Sequence, residues 1–272
     1  MKTETGYVEL KDGKIYYEVA GEGETLVLSH AGFVDSGEWD YQWEAFAEKY
    51  RVIRYDMRSY GRSSKLEAPI VRRDDLGHVL DYLKVEQAHL LGCSMGGTIV
   101  IDYALEHPER VLSLIPVSAT PSGFQMQGEP PKELMQMTEA AQKGDLETES
   151  ELQIRVWVDG PYRKPDQVDA KVREHAAKMN RIPVENATFI KADSQELNPL
   201  NPPAVQQLDT VKVPTLIIAG ALDNSEIVRA AEVMHKAISG SKKHIIEGAA
   251  HVPNMEKPAE FNKTVLDFLK SV

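Results

Sequence analysis

The sequence contains a single cysteine, Cys93, in a chain of 272 residues. One cysteine excludes an internal disulfide and favours a reducing compartment. The first residues contain no apolar segment like that of a secretory signal, and no apolar run is long enough for a membrane-spanning helix. We therefore expect a cytoplasmic protein without membrane contact.

Positive charge is also scarce. Lys and Arg together number 31 against 42 Asp and Glu, which gives a formal net charge of −11. This balance argues against binding to nucleic acid or to anionic membranes, because both need a basic surface. Internal repeats and low-complexity tracts are absent as well. The length suits one large α/β domain or two small ones.

Short apolar runs rich in β-branched residues alternate with helical patterns along most of the chain. We predict strands at 7–10, 15–19, 25–29, 51–56, 88–91, 111–115, 214–220 and 243–246. The first two are joined through Asp12-Gly13, a hairpin signal. The later runs are continuously apolar, as in parallel strands that are buried on both faces. The pattern predicts a mostly parallel α/β sheet flanked by helices.

The alternation stops between residues 121 and 203. This stretch has helix-like pieces at 132–143, 146–158 and 167–180, separated by breaks that contain proline, and no strong candidate for a parallel strand. We predict a core domain from residues 1–120 and 204–272, with residues 121–203 inserted as a helical cap.

Residues 92–96 read Gly-Cys-Ser-Met-Gly and lie between a predicted strand and a predicted helix. This is the pattern of a nucleophile elbow, a sharp turn that exposes a serine hydroxyl. Glycines two residues before and after Ser94 let the strand and the helix cross closely. We call residues 92–96 the elbow and expect Ser94 to be a nucleophile.

A serine nucleophile needs a base and an acid that orients the base. Asp223 follows the predicted strand at 214–220, at the sheet edge where ligand-facing groups lie. A turn or helix cap is the alternative role for this aspartate. The other place for an acid, the loop at 118–120, has no carboxylate. Of eight histidines, only His30 and His251 lie on loops after buried strands, and His251 is the expected base.

The segment His30-Ala31-Gly32-Phe33, here called the oxyanion segment, is expected to turn over the elbow. The backbone N–H groups of Phe33 and Met95 are then the candidate oxyanion donors. His30 is more consistent with a structural hydrogen-bonding role than with a second base.

Apolar residues of the predicted cap suggest an adaptable hydrophobic pocket. The pocket candidates are His30, Phe124, Met126 and Trp157. The alternative for each apolar cap residue is that it belongs to the cap's own core. We expect no cofactor and no metal ion.

At these positions the sequence resembles the α/β-hydrolase superfamily nearly end to end, and in particular its serine carboxylesterases with a Ser-Met-Gly-Gly elbow. The matching pieces are the oxyanion segment, residues 55–63, the elbow, residues 220–223 and residues 248–251. The resemblance implies the α/β-hydrolase fold with eight strands, a lid after the sixth strand, and a catalytic triad of Ser94, His251 and Asp223. The turn after Asp56 departs from the family pattern, because Ser59 replaces its first glycine.

The resemblance implies hydrolysis of a carboxylic ester with an apolar portion, through an acyl-enzyme on Ser94. A serine at this position argues against dehalogenases and epoxide hydrolases, which use an aspartate. Lactonase, thioesterase and carbon–carbon bond hydrolase activity on the same triad remain alternatives. A ligand-binding receptor that retains the triad is an alternative of another class. The sequence leaves the oligomeric state and the physiological substrate open.

Overall fold

The computed structural model describes residues 2–272, which form an eight-stranded sheet with helices on both faces. The strands are β1 Thr3–Leu10, β2 Gly13–Ala20, β3 Thr25–Ser29, β4 Arg51–Tyr55, β5 Ala88–Cys93, β6 Val111–Val117, β7 Leu216–Gly220 and β8 Lys242–Ile246. All eight predicted strands are present, and the first two are longer than predicted, because their backbones pair along a hairpin closed at Gly13.

The strand order is β1-β2-β4-β3-β5-β6-β7-β8. The pairs β1–β2 and β2–β4 are antiparallel, and the pairs from β4–β3 onward are parallel. The prediction of a mostly parallel sheet is confirmed. The carboxyl ends of β3, β5, β7 and β8 lie along the same edge, where the loops that follow them can meet.

The helices are α1 Asp40–Ala47, α2 Arg72–Tyr82, α3 Met95–Glu106, α4 Lys132–Lys143, α5 Leu146–Ile154, α6 Ala170–Glu185, α7 Ser225–Ala237, α8 Pro253–Glu256 and α9 Pro258–Leu269. The predicted helix at 146–158 ends at Ile154 and continues as a π-helical turn, Arg155–Asp159. The predicted helix at 167–180 is displaced toward the C-terminus. It begins after Asp169, whose side chain caps it, and it continues through Pro183 in its last turn.

Two apolar layers cover the two faces of the sheet. Side chains of α2, α3 and α7 pack on one face, and those of α1 and α9 pack on the other. Helices α4, α5 and α6 lie between β6 and β7 in the chain, within the stretch predicted to be the cap. The division at residues 121 and 203 stays a prediction. Among residues 2–272, no helix has both the length and the apolar composition needed to span a membrane.

The turn after β4 accommodates the serine that replaces a family glycine. Ser59 has φ of 75°, the left-handed region in which glycine carries no steric penalty. Its hydroxyl accepts the Leu66 amide at 2.7 Å, and its carbonyl accepts hydrogen bonds from Asn186 and Thr188. These bonds hold the unfavourable backbone conformation in place.

Candidate active site

Ser94 lies at a strained turn between β5 and α3. Its backbone has φ of 51° and ψ of −116°, outside the usual regions for a residue with a side chain. A Cβ on Gly96 would lie 2.3 Å from the Ser29 carbonyl oxygen, and a Cβ on Gly92 would lie 2.2 Å from the Gly96 carbonyl oxygen. Glycine is therefore required at both positions, as the elbow pattern indicated.

The structure brings Ser94, His251 and Asp223 into one hydrogen-bonded chain. The distance from Ser94 Oγ to His251 Nε2 is 2.8 Å, and the distance from His251 Nδ1 to Asp223 Oδ2 is also 2.8 Å. The carboxylate accepts the Nδ1 proton, so Nε2 of the neutral ring is free to accept the serine proton. Ser94 is partly exposed, whereas His251 and Asp223 are buried.

Backbone hydrogen bonds fix the loops that carry the acid and the base. The second carboxylate oxygen of Asp223 accepts the Asn224 amide at 2.7 Å. The Leu222 amide donates to the Ala249 carbonyl at 2.8 Å, which joins the acid loop to residues 247–252, here called the base loop. The two side chains therefore keep their relative positions without help from a ligand.

The charge of Asp223 sets the basicity of His251. Burial alone would lower the pKa of the imidazole, but the Asp223 carboxylate and its hydrogen bond, with a smaller contribution from the charge of Glu38, outweigh this effect and raise the pKa above its ordinary value of 6.5. A more basic imidazole is a better acceptor for a serine proton.

The oxyanion segment lies against the elbow. A Cβ on Gly32 would lie 3.1 to 3.3 Å from three side-chain atoms of Met95. In the described part of the chain, the Phe33 amide donates to no protein acceptor. The Met95 amide is in the first turn of α3, where a helix has no partner for it. Both amides are free to bind an oxyanion.

His30 is fully buried and lies outside the cavities beside Ser94. Its Nδ1 donates to the Ala31 carbonyl, and its Nε2 accepts the Met57 amide, so the ring is neutral. Burial lowers its pKa to about 4. As the sequence suggested, its contacts are structural, and it is not a pocket residue.

Two cavities meet beside the base. One has a volume of about 420 Å³ and is lined by Ser94 and His251, and the other has a volume of about 380 Å³ and is lined by His251 and Asp223. Met126, Trp157 and Ile227 line both.

Phe124 lines neither cavity. Its ring instead lies under the guanidinium of Arg229, 4.2 Å from the ring centroid, so this part of the cap stretch packs on α7. Of the four pocket candidates, Met126 and Trp157 therefore line the cavities, while Phe124 and His30 do not.

The sequence interpretation missed several residues of the larger cavity. Thr98 and Asp102 follow Ser94 by four and eight residues, so they lie on the same face of α3. Helical periodicity counted from the serine would have found both. Ser118, directly after β6, lines the same cavity. Within residues 2–272, no group of three or more His, Cys, Asp or Glu side chains is arranged to hold a metal ion.

Comparison with known proteins agrees with this geometry. The model of the alpha/beta hydrolase fold matches residues 24–258. The chain is 28% identical to a putative 2-succinyl-6-hydroxy-2,4-cyclohexadiene-1-carboxylate synthase of Bacillus subtilis, over 97% of this chain and 98% of the relative. It is also 28% identical to 3-oxoadipate enol-lactonase 1 of Acinetobacter baylyi, over 91% of this chain and 89% of the relative.

A solved structure described as an N-acyl homoserine lactone degrading enzyme superposes with a TM-score of 0.79. It is 26% identical, and the match covers 97% of this chain and 100% of that one. The family model spans most of the sequence and includes the strands that carry the site. The chain therefore belongs to the family of enzymes with the alpha/beta hydrolase fold.

Proposed function

We propose that the protein is a serine hydrolase that cleaves carboxylic esters through an acyl-enzyme on Ser94. The observation that carries this proposal is the continuous hydrogen-bonded chain from Ser94 through His251 to Asp223, with 2.8 Å at each link. A serine hydroxyl is a weak nucleophile until a base accepts its proton, and this arrangement supplies the base in place.

In the proposed reaction, Ser94 Oγ attacks the ester carbonyl while His251 Nε2 takes its proton. The negative charge that forms on the carbonyl oxygen is stabilised by the amides of Phe33 and Met95. Asp223 stabilises the imidazolium and keeps the ring in the correct tautomer. His251 then protonates the leaving alcohol, and the acyl group remains on the serine.

A water molecule then hydrolyses the acyl-enzyme, with His251 again acting first as base and then as acid. His251, neutral again, removes a proton from a water molecule that attacks the acyl carbonyl, and then returns that proton to Ser94. All of these groups belong to the chain, so the proposed reaction uses no cofactor and no metal ion.

The cavities support a small-molecule substrate with an apolar portion. Two cavities that meet at His251 can hold the acyl and alcohol parts of an ester on either side of the reacting carbonyl. Trp157, Met126 and Ile227 supply the apolar wall that both cavities share.

We also propose a cytoplasmic location. It is supported by the single cysteine, Cys93, which is buried and forms no disulfide, as is usual in a reducing compartment.

A lactone is the second candidate substrate. It is supported by the likeness to two proteins, a 3-oxoadipate enol-lactonase and a protein described as an N-acyl homoserine lactone degrading enzyme. A lactone is a cyclic ester, so the same triad would open it by the same steps. The substrate comparison below can also reveal hydrolysis of thioesters, hydrolysis of carbon–carbon bonds, or ligand binding without turnover.

The test is turnover of p-nitrophenyl esters and of lactones by the wild-type protein and by Ser94→Ala. The proposal expects a burst of p-nitrophenol from the wild type and loss of turnover in the variant. Comparing kcat/KM for acyl esters, thioesters, lactones and vinylogous diketones ranks the candidate reactions. Full turnover by Ser94→Ala would refute a serine nucleophile, and labelling by a fluorophosphonate without turnover of any of these substrates would favour a receptor.

A further inference from the structure

A buried carboxyl lies behind the active site and has no role in the reaction described above. Glu38 belongs to a 3-10 turn, Ser36–Trp39, and is completely buried. Its Oε2 accepts the Ala31 amide at 2.7 Å, and its Oε1 accepts Nδ2 of Asn254 at 3.3 Å. The carboxyl also lies near the buried thiol of Cys93, whose hydrogen bond goes to the His251 carbonyl.

These three neighbours belong to three different segments in or beside the active site. Ala31 is in the oxyanion segment, Cys93 is in the elbow, and Asn254 is in α8, directly after the base loop. The Cys93 thiol also lies 3.6 Å from the carbonyl oxygen of His251. The carboxyl therefore binds the segment that carries the oxyanion donor, and it lies near the elbow and binds α8, which follows the base loop.

The carboxyl of Glu38 has no cationic partner. The buried acids Asp75 and Asp56 each pair with an arginine, but among residues 2–272 no lysine or arginine pairs with Glu38. Burial raises the pKa of Glu38 to about 7, although hydrogen bonds from its neighbours oppose this rise. A buried carboxyl without a cation costs folding free energy, and such groups are concentrated at functional sites.

We propose that Glu38 is a positioning residue of the active site, which holds the oxyanion segment through the Ala31 amide and, when ionised, stabilises the imidazolium of His251 through its negative charge. This inference rests on the proposed function, because that function makes His251 the base. The Ala31 bond fixes the backbone two residues before Phe33, whose amide is the candidate oxyanion donor.

Two titratable groups of other elements interact with the charge of Glu38, Cys93 of β5 and His251 of the base loop. From α8, the uncharged Asn254 amide donates to the carboxyl. Burial and the charge of Glu38 raise the pKa of the thiol well above its ordinary range, so Cys93 stays neutral near pH 7. His251 is therefore the group that responds to Glu38. Like Asp223, an ionised Glu38 raises the pKa of His251.

Glu38→Gln separates the charge from the hydrogen bond, because the amide oxygen still accepts the Ala31 N–H. We expect the pKa of His251 to fall, because the charge that raises it is removed. We also expect kcat to fall about threefold to tenfold with little change in KM, because the imidazolium forms only during the reaction. NMR titration of the His251 ring measures the pKa without any substrate.

Glu149→Gln is the matched control. Glu149 is another buried carboxyl, its pKa is also raised by burial to about 7, and its Oε1 accepts Nε2 of Gln153 within α5. The same chemical change at this position is expected to leave the titration of His251 where it is in the wild type.

Glu38→Asp tests the positioning role in the opposite way. It keeps the charge but shortens the side chain by one methylene, so we expect the Ala31 bond to be lost. The predicted result is a fall in kcat of about tenfold, with KM and the titration of His251 nearly unchanged. This variant also tests the inference if Glu38→Gln does not fold.

An unchanged His251 titration in Glu38→Gln would overturn the electrostatic role, and wild-type kcat in Glu38→Asp would overturn the positioning role. Failure of the proposed function is distinguishable from either result. In that case the wild-type protein turns over no acyl substrate, while the NMR titration still measures whether the charge of Glu38 acts on His251.

Discussion

The indole of Trp157 stacks on the phenyl ring of Phe33, with ring centroids 5.2 Å apart and planes inclined by 27°. Trp157 belongs to the π-helical turn that extends α5, and it lines both cavities. Phe33 carries the backbone amide that we propose as an oxyanion donor. The stretch between β6 and β7 therefore contacts both the cavities beside Ser94 and the segment that we propose binds the oxyanion.

Trp157→Ala is expected to merge the two cavities and to loosen the oxyanion segment. We predict that kcat/KM for a p-nitrophenyl ester of a short acid falls about tenfold, while esters of bulkier acids lose less. The measurement is kcat/KM across p-nitrophenyl esters of increasing chain length. Tyr162→Ala, at an exposed aromatic residue that lines neither cavity, is the matched control. An equal loss for all chain lengths would contradict the role of Trp157 in shaping the cavities.

The pH dependence of activity is predicted from His251. Burial lowers its pKa, but the charge and hydrogen bond of Asp223, together with the charge of Glu38, outweigh burial and raise the pKa above 6.5. The imidazole must be neutral to accept the serine proton. Activity therefore rises with pH as His251 loses its proton, and the midpoint of this acid limb is expected above 6.5. The profile of kcat/KM between about pH 5 and pH 9 measures it. A midpoint below 6.5 would contradict the geometry of the Asp223–His251 pair.

Two helical glycines are predicted to respond in opposite ways to replacement by alanine. Gly96→Ala would place a methyl group 2.3 Å from the Ser29 carbonyl oxygen, so we expect loss of activity and destabilisation by several kcal/mol. Gly77 lies inside α2, where an added Cβ would have its nearest neighbour, Tyr103, at 3.6 Å. Gly77→Ala is therefore expected to stabilise the protein by up to about 1 kcal/mol. Urea unfolding measures both changes.

The buried ring of His30 is expected to make the free energy of unfolding depend on pH. Burial lowers its pKa to about 4 in the folded protein, against 6.5 as the ordinary value, so the folded state resists protonation of this ring. The resulting stability is fully present above pH 6.5 and is lost as pH falls toward 4, and the whole effect is about 3 kcal/mol. Urea unfolding at pH 7 and near pH 4.5 tests this for the wild type and for His30→Gln. We expect the wild type to lose more stability on acidification, and equal losses would contradict the prediction.

The fold and the residues of the proposed triad were predictable because their signals are local. The elbow is a pattern of five residues, and Asp223 and His251 each follow an apolar strand at an edge that a parallel sheet places near the elbow. The bounds of α6 were harder to predict. A proline usually marks the end of a helix, but α6 continues through Pro183 in its last turn.

The surroundings of the site were not predictable in the same way. Phe124 and Met126 are two residues apart in one stretch. Nothing in the local sequence shows that Phe124 packs under Arg229 while Met126 lines both cavities. Glu38 lies in a short 3-10 turn, and one of its hydrogen-bond partners, Asn254, is 216 residues away in the chain. Such contacts come from the folded arrangement and have no periodic signal.

The central claim is that Ser94 becomes covalently acylated during turnover. The most direct measurement is mass spectrometry of the protein quenched with acid during reaction with p-nitrophenyl acetate, followed by peptide mapping. We predict one acetyl group per chain on the peptide that contains Ser94, and none at this position in Ser94→Ala. Steady turnover by the wild type with no acyl group on Ser94 at any time after mixing would contradict the account.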